Sequence, residues 1–308
     1  MKSFLAGSLI FCLALQARCC ANFSGVAGTS FNGAWVHGAS RYRLIELRRA
    51  LNRNLAMDGA QMEAALRNST NFNDRSDYSV ALMYLGRSEE AVDLLQKLET
   101  EQPGHYFVAA NLGTAFELTG NNEQAARWIA EGIRRNPKSH EGTEWLHLKI
   151  LEAKIANQKN PNYFKSHSVL DLTPQNISEG TLIGKEKLSP AEAAAAIQHQ
   201  LAERLQFVKP PDAAVASLFF DYAAIEAGTR TLESAKQILQ MAENFGYPSE
   251  KVQPLIKLYD RRIAWRKTKQ YSFYGLIGVA GVGLLYVLYQ KKIFVLSSKD
   301  LPRKAQAI

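Results

Sequence analysis

Apolar positions along the chain fall into two kinds of pattern. Two are unbroken runs near the ends, Phe4 to Leu15 and Tyr271 to Tyr289. Between them, apolar residues recur at helical spacing in stretches punctuated by Gly and Pro, which predicts helices. Residues 41–67 predict two short ones, RYRLIELRRALNR and DGAQMEAALRN. Residues 72–153 predict helix hairpins, and 154–188, with Pro161 and Pro174, read as a loop. Ser189-Pro190-Ala191-Glu192 then places Ser at an N-cap, Pro at N1 and Glu at N3 of a helix. That helix runs through AEAAAAIQHQLAERLQF to the break at Pro210–Pro211. Asp212 caps the next, which ends at Gly228, and LESAKQILQMAENFG ends at Gly246. Ser249 caps a last helix that leads through RRIAWRK into the second apolar run. The fold class expected is all-α.

The apolar runs differ in length, and length decides what each can do. Phe4–Leu15 is too short for a hydrocarbon core, which needs roughly 20 helical residues. It follows the positive Lys2 and precedes Cys19 and Ala21, in the −3 and −1 places of a cleavage site. Residues 1–21 therefore read as a signal peptide. All three cysteines (Cys12, Cys19, Cys20) would leave with it. Tyr271–Tyr289 carries no charge and at ~1.5 Å per residue reaches about 28 Å, one bilayer core. Tyr271 and Tyr274 at one edge, and Tyr286 and Tyr289 at the other, form aromatic belts. The expectation is a single transmembrane helix at 271–290. Basic residues do not orient it, since six in 257–270 face five in 291–308. A cleaved signal does: it exports 22–270 and leaves 291–308 as a cytoplasmic tail. In a bacterium the exported part would be periplasmic.

The body repeats. A shift of 34 residues aligns Gly86 with Gly120, Ala91 with Ala125, Pro103 with Pro137, Leu82 with Phe116 and Leu95 with Ile129. Glycines suit the tight turn inside each hairpin, alanines a close helix crossing, and prolines the stop of the second helix. The units expected are 72–105, 106–139 and a partial 140–153, the last a first helix over His140–Ala153. Residues 22–71 form an N-terminal helical segment, 154–188 a linker, and 189–270 a degenerate continuation.

These residues, with Leu112–Gly113 and the aromatic Phe116, resemble the tetratricopeptide repeat family. The stretch from NLGTAFELTG to LKILEAK also resembles exported, membrane-anchored bacterial members of that family. The resemblance implies a solenoid of helix hairpins whose first helices line a concave, peptide-binding groove. Family groove positions fall on Asn73, Ser76, Val80 and Met83, then on Phe107, Ala110, Thr114 and Glu117. In the third unit they are Glu141, Glu144, Leu148 and Leu151. Members that clamp a carboxylate carry Lys, Arg and Asn there; only Asn73 and Asn111 fit, so an apolar or basic partner segment is implied instead. Phe107 is expected to be an exposed anchor rather than a core residue.

Composition narrows the function classes. At 46% apolar and 21% charged, the 308 residues suffice for a real core. Net charge is +8, but residues 1–21 contribute +2 and 257–308 contribute +9, leaving the body at −3. A nucleic-acid partner is thereby not expected. His140, Glu144 and His147 share a helix face and have the spacing of a metal site. The sequence lacks a fourth ligand for them, and it lacks G-x-S-x-G, H-E-x-x-H and paired Cys. The reading is a non-enzymatic scaffold without a cofactor, binding a peptide or helix of another envelope or membrane protein. The alternatives are a metal protein or hydrolase using the His140 face, and a structural subunit of a membrane complex.

Overall fold

The computed structural model describes residues 47–52, 54–172, 177 and 188–291. The expected signal peptide and the tail beyond 291 lie outside them. The chain divides into two compact units, Met1–Gln253 and Pro254–Ile308. The described residues are helical, with no strand among them. After helical residues at 47–51, the helices among the described residues are α1 Leu55–Leu66, α2 Phe72–Tyr84, α3 Ser88–Glu101, α4 Tyr106–Leu118, α5 Asn122–Arg135 and α6 Glu144–Lys159. After them come α7 Tyr163–Ser166, α8 Pro190–Phe207, α9 Ala213–Thr229, α10 Leu232–Asn244 and α11 Ser249–Gln290.

From α1 to α6 each helix packs on the next, and α2 also packs on α4. The repeated residues build the same joint twice. Gly86 and Gly120 adopt φ of 75° and 83°, a left-handed turn that costs glycine little. In the first joint the Gly86 N–H donates to the Met83 carbonyl and the Arg87 N–H to that of Leu82, at 3.1 and 2.8 Å. In the second, Gly120 donates to Glu117 and Asn121 to Phe116, at 3.0 and 2.9 Å. Both joints thus satisfy the carbonyls a helix end leaves open. Past each joint a fully buried alanine, Ala91 or Ala125, lets the second helix close on the first. Gly113 serves the same closeness between α4 and α5: a Cβ there would lie 2.5 Å from Ile129 Cδ1 and 3.1 Å from the Ile129 backbone nitrogen. Pro103 and Pro137 force the residues before them into extended backbone, so α3 and α5 stop at Glu101 and Arg135.

The third unit departs from the expected His140–Ala153 helix. His140 has φ of 48°, which an α-helix of L-residues excludes, so a short 3-10 turn fills Ser139–Gly142 and α6 starts only at Glu144. That helix then continues to Lys159, into the expected linker. The linker is anchored as well: Ser168 Oγ donates to Asp221 on α9 at 2.6 Å and the Leu170 N–H to the same carboxyl at 3.0 Å. Ser189 and Glu192 form the expected reciprocal cap of α8. Asp212 and Thr231 cap α9 and α10, and α8, α9 and α10 pack in succession.

In the second unit α11 is long and apolar enough to cross a membrane, and its most apolar stretch is unburied throughout. The residues that a soluble protein would hide (Leu276, Ile277, Val279, Val282, Leu284 and Leu285) are all exposed.

Candidate functional site

The first helices α2, α4 and α6 carry the residues expected to line a groove, and helix α8 crosses them, touching the end of α2, the end of α4 and the turn before α6. Phe207, the last residue of α8, tilts against Tyr84 at the end of α2, ring centroids 5.6 Å apart. One turn earlier, Arg204 reaches Glu117 near the end of α4, its Nη1 and Nη2 donating to the two carboxylate oxygens at 2.5 and 3.2 Å. Farther back, His199 sets its ring edge-on to His140, just before α6, at 5.6 Å. Helix α8 therefore meets the third, second and first units in turn. It is buried on nearly every side, with Gln198 on another of its faces donating to the Tyr222 hydroxyl on α9 at 2.5 Å.

The centre of this seam is ionic. Besides Arg204, the Glu117 carboxylate accepts from Lys154 Nζ at 2.8 Å and meets His147 Nε2 at 2.8 Å. The other ring nitrogen of His147 lies 3.4 Å from Glu144, whose second oxygen lies 3.2 Å from His140 Nδ1. Glu117, His147, Glu144 and His140 thus form a buried chain of alternating carboxylates and imidazoles. Burial opposes the charge on Glu117, but Arg204, Lys154 and His147 outweigh it and hold the carboxyl well below its usual range. Burial opposes Glu144 too, yet His140, His147 and His199 hold it at about 2. His147 loses hydration but gains two carboxylates, and its pKa rises. His140 goes the other way: desolvation is its largest influence, and its pKa falls. Gln200 shares a helix face with Arg204 at i, i+4, is fully buried, and its amide finds no hydrogen-bond partner among the described residues.

The expected groove residues divide three ways. Glu117 and Glu144 enter the ionic seam. Ser76, Val80, Met83, Ala110, Thr114 and Leu151 are buried, and Leu148 is half-buried against Ala125, Ile129 and Leu151. Asn73 is exposed, and Asn111 is buried. Glu141 falls in the 3-10 turn, its side chain outside what is described. Phe107 corrects the expectation of an exposed anchor: it is 9% exposed and sits in the apolar core, its ring packed among Phe72, His105 and Tyr106. Arg204, Lys154 and His199 carry much of the seam and were not singled out by the sequence. Their signal was indirect, since an acidic residue on the mostly apolar α4 calls for a buried cation.

The three metal candidates do come together, but Glu144 lies between the two imidazoles and His147 turns its Nε2 to Glu117. Among the described residues, no group of three or more His, Cys, Asp or Glu is arranged to hold a metal ion. What the arrangement does chemically is tie α4 to α6 and to α8 through charge. No protein-family model, curated protein or solved structure matches the chain.

Proposed function

We propose that the protein is a membrane-anchored scaffold of the tetratricopeptide type, not an enzyme, that takes a helix of a partner protein on the face formed by α2, α4 and α6. The observation that carries the reading is the identical joint at Gly86 and Gly120, 34 positions apart, each closing a hairpin whose first helix contributes to one common face. The occupant of that face supports it further. The face accepts a helix bearing a cation and, three residues on, an aromatic ring, as Arg204 and Phe207 of α8 do. A partner helix of that kind would exchange with α8. Helix α11 supports anchoring, and a cleaved signal would set the body outside the cytoplasm, facing other envelope proteins.

Photo-cross-linking in intact membranes from position 148 tests the exchange. A discrete adduct is expected, several-fold stronger in Arg204→Glu. It should disappear when α8 is stapled in place by a bismaleimide across Tyr84→Cys and Phe207→Cys. An adduct indifferent to the staple would rule out this face as the docking surface.

A further inference from the structure

We propose that the segment of α11 preceding the apolar stretch is a binding collar for anionic phospholipid headgroups, beyond serving as the edge of a membrane span. The proposal rests on the membrane reading of α11. Residues 257–270 hold Lys257, Arg261, Arg262, Arg266, Lys267 and Lys269 against the single acid Asp260. Residues 264–270 are exposed without interruption, and Arg261 and Arg262 are exposed too.

Three features point to lipid. The first is angular. At about 100° per residue the six cations spread around the whole helix rather than along one stripe. A helix lying flat in the interface is basic on one face only; a collar basic all round suits a helix standing upright through a layer of negative charge. The second is axial. At ~1.5 Å per residue, Lys269, Lys267 and Arg266 lie roughly 3–8 Å before Tyr271, the depth of a headgroup layer, and Arg262 and Arg261 lie within a further ~8 Å Debye length. The helix is continuous from Ser249 to Gln290, so this spacing is fixed by the backbone. The third is Trp265. It is 64% exposed at the level of the cations, with Lys269 Nζ 5.5 Å from its ring centroid. A large ring left in the open beside cations matches the mixed polar and apolar chemistry of a lipid interface. Orientation signalling does not account for the collar, because the opposite flank is almost equally basic and the six cations stand on the side a cleaved signal would export.

The test uses the full chain in phosphatidylcholine vesicles containing a minority of phosphatidylglycerol. Trp265 fluorescence is isolated by subtracting Trp265→Phe, and its quenching by brominated phosphatidylglycerol is compared with that by brominated phosphatidylcholine at equal mole fraction. An apparent enrichment of the anionic lipid of about fivefold or more is expected, equivalent to at least one cation's attraction to the surface. Replacing Arg261, Arg262, Arg266, Lys267 and Lys269 together by Gln should abolish it. Equal quenching in the wild type, or a preference that survives the Gln variant, would overturn the proposal. So would binding of polyglutamate without lipid preference, which would assign the collar to an acidic protein. Alkaline carbonate extraction is run in parallel: if it strips the wild type from the vesicles, the membrane reading itself fails, a result distinct from insertion without lipid preference.

Discussion

The two surfaces of α4 are built on opposite principles. Towards α3 and α5 it is packed with Val108, Leu112 and Ala115, and Gly113 lets Ile129 approach. Towards α8 it presents Glu117, and the contact is made of charges. The apolar contact is stabilised by area removed from water and by shape, so nothing but a similar shape replaces it. The ionic contact has lost hydration on both sides and offsets that loss through a few directed bonds, so it is sensitive to one missing partner.

Phe107→Ala should show the apolar side at its strongest. With its ring among Phe72, His105 and Tyr106, truncation should cost ~3–5 kcal/mol and lower the Tm of the detergent-solubilised protein markedly. A negligible change would return Phe107 to the role of a recognition residue. Arg204→Met should cost roughly 3 kcal/mol, because it leaves Glu117 buried with less compensation. Adding Glu117→Gln to Arg204→Met should recover part of that loss, because the uncompensated charge goes while Lys154 and His147 keep an acceptor. No recovery would mean the seam depends on its exact geometry rather than on charge balance.

Acidity separates the seam from the Asp221 clasp. Glu117 and Glu144 are depressed below 4.5, so the stability they supply is present above that value and lost as pH falls, for Glu144 towards about 2. Asp221 is the reverse. Burial raises it from 3.8 to about 7 despite its bonds from Ser168 and Leu170, so its contribution is complete below 3.8 and gone once pH passes about 7. His147, raised above 6.5, likewise contributes below 6.5 and stops contributing as pH climbs through its folded value. Thermal melts from acid to mildly alkaline pH should therefore show an optimum, and Asp221→Asn should flatten its alkaline side. A profile unchanged by Asp221→Asn would place the alkaline loss in the seam alone. The smallest effect belongs to Arg134, whose pairing with Glu131 is exposed: Arg134→Ala should stay within about 0.5 kcal/mol in the same melts.

The same contrast explains what was readable in the sequence. Packing between neighbours repeats every 34 residues, so Gly86, Gly120, Ala91, Ala125 and the two prolines announce it. The cap at Ser189 is equally local. The third unit's late start was hidden because only the backbone of His140 records it. The seam was hidden for a different reason. Helix α8 is buried on most sides, so no stripe marks which neighbour it meets. Arg204 stands 87 positions from Glu117 among 37 Lys and Arg, and charge alone does not choose among them.

That separation also sets an order of assembly. Glu117 leaves the ribosome 87 residues before the arginine that will cover it, an interval of roughly 4–17 s at ~5–20 residues per second. Through that interval the hairpins can already close on one another, while the face awaiting α8 stays wet. An apolar face left open for so long would collect other unfinished chains. The carboxylates, imidazoles and lysine at the centre of this face hold water until their own helix arrives.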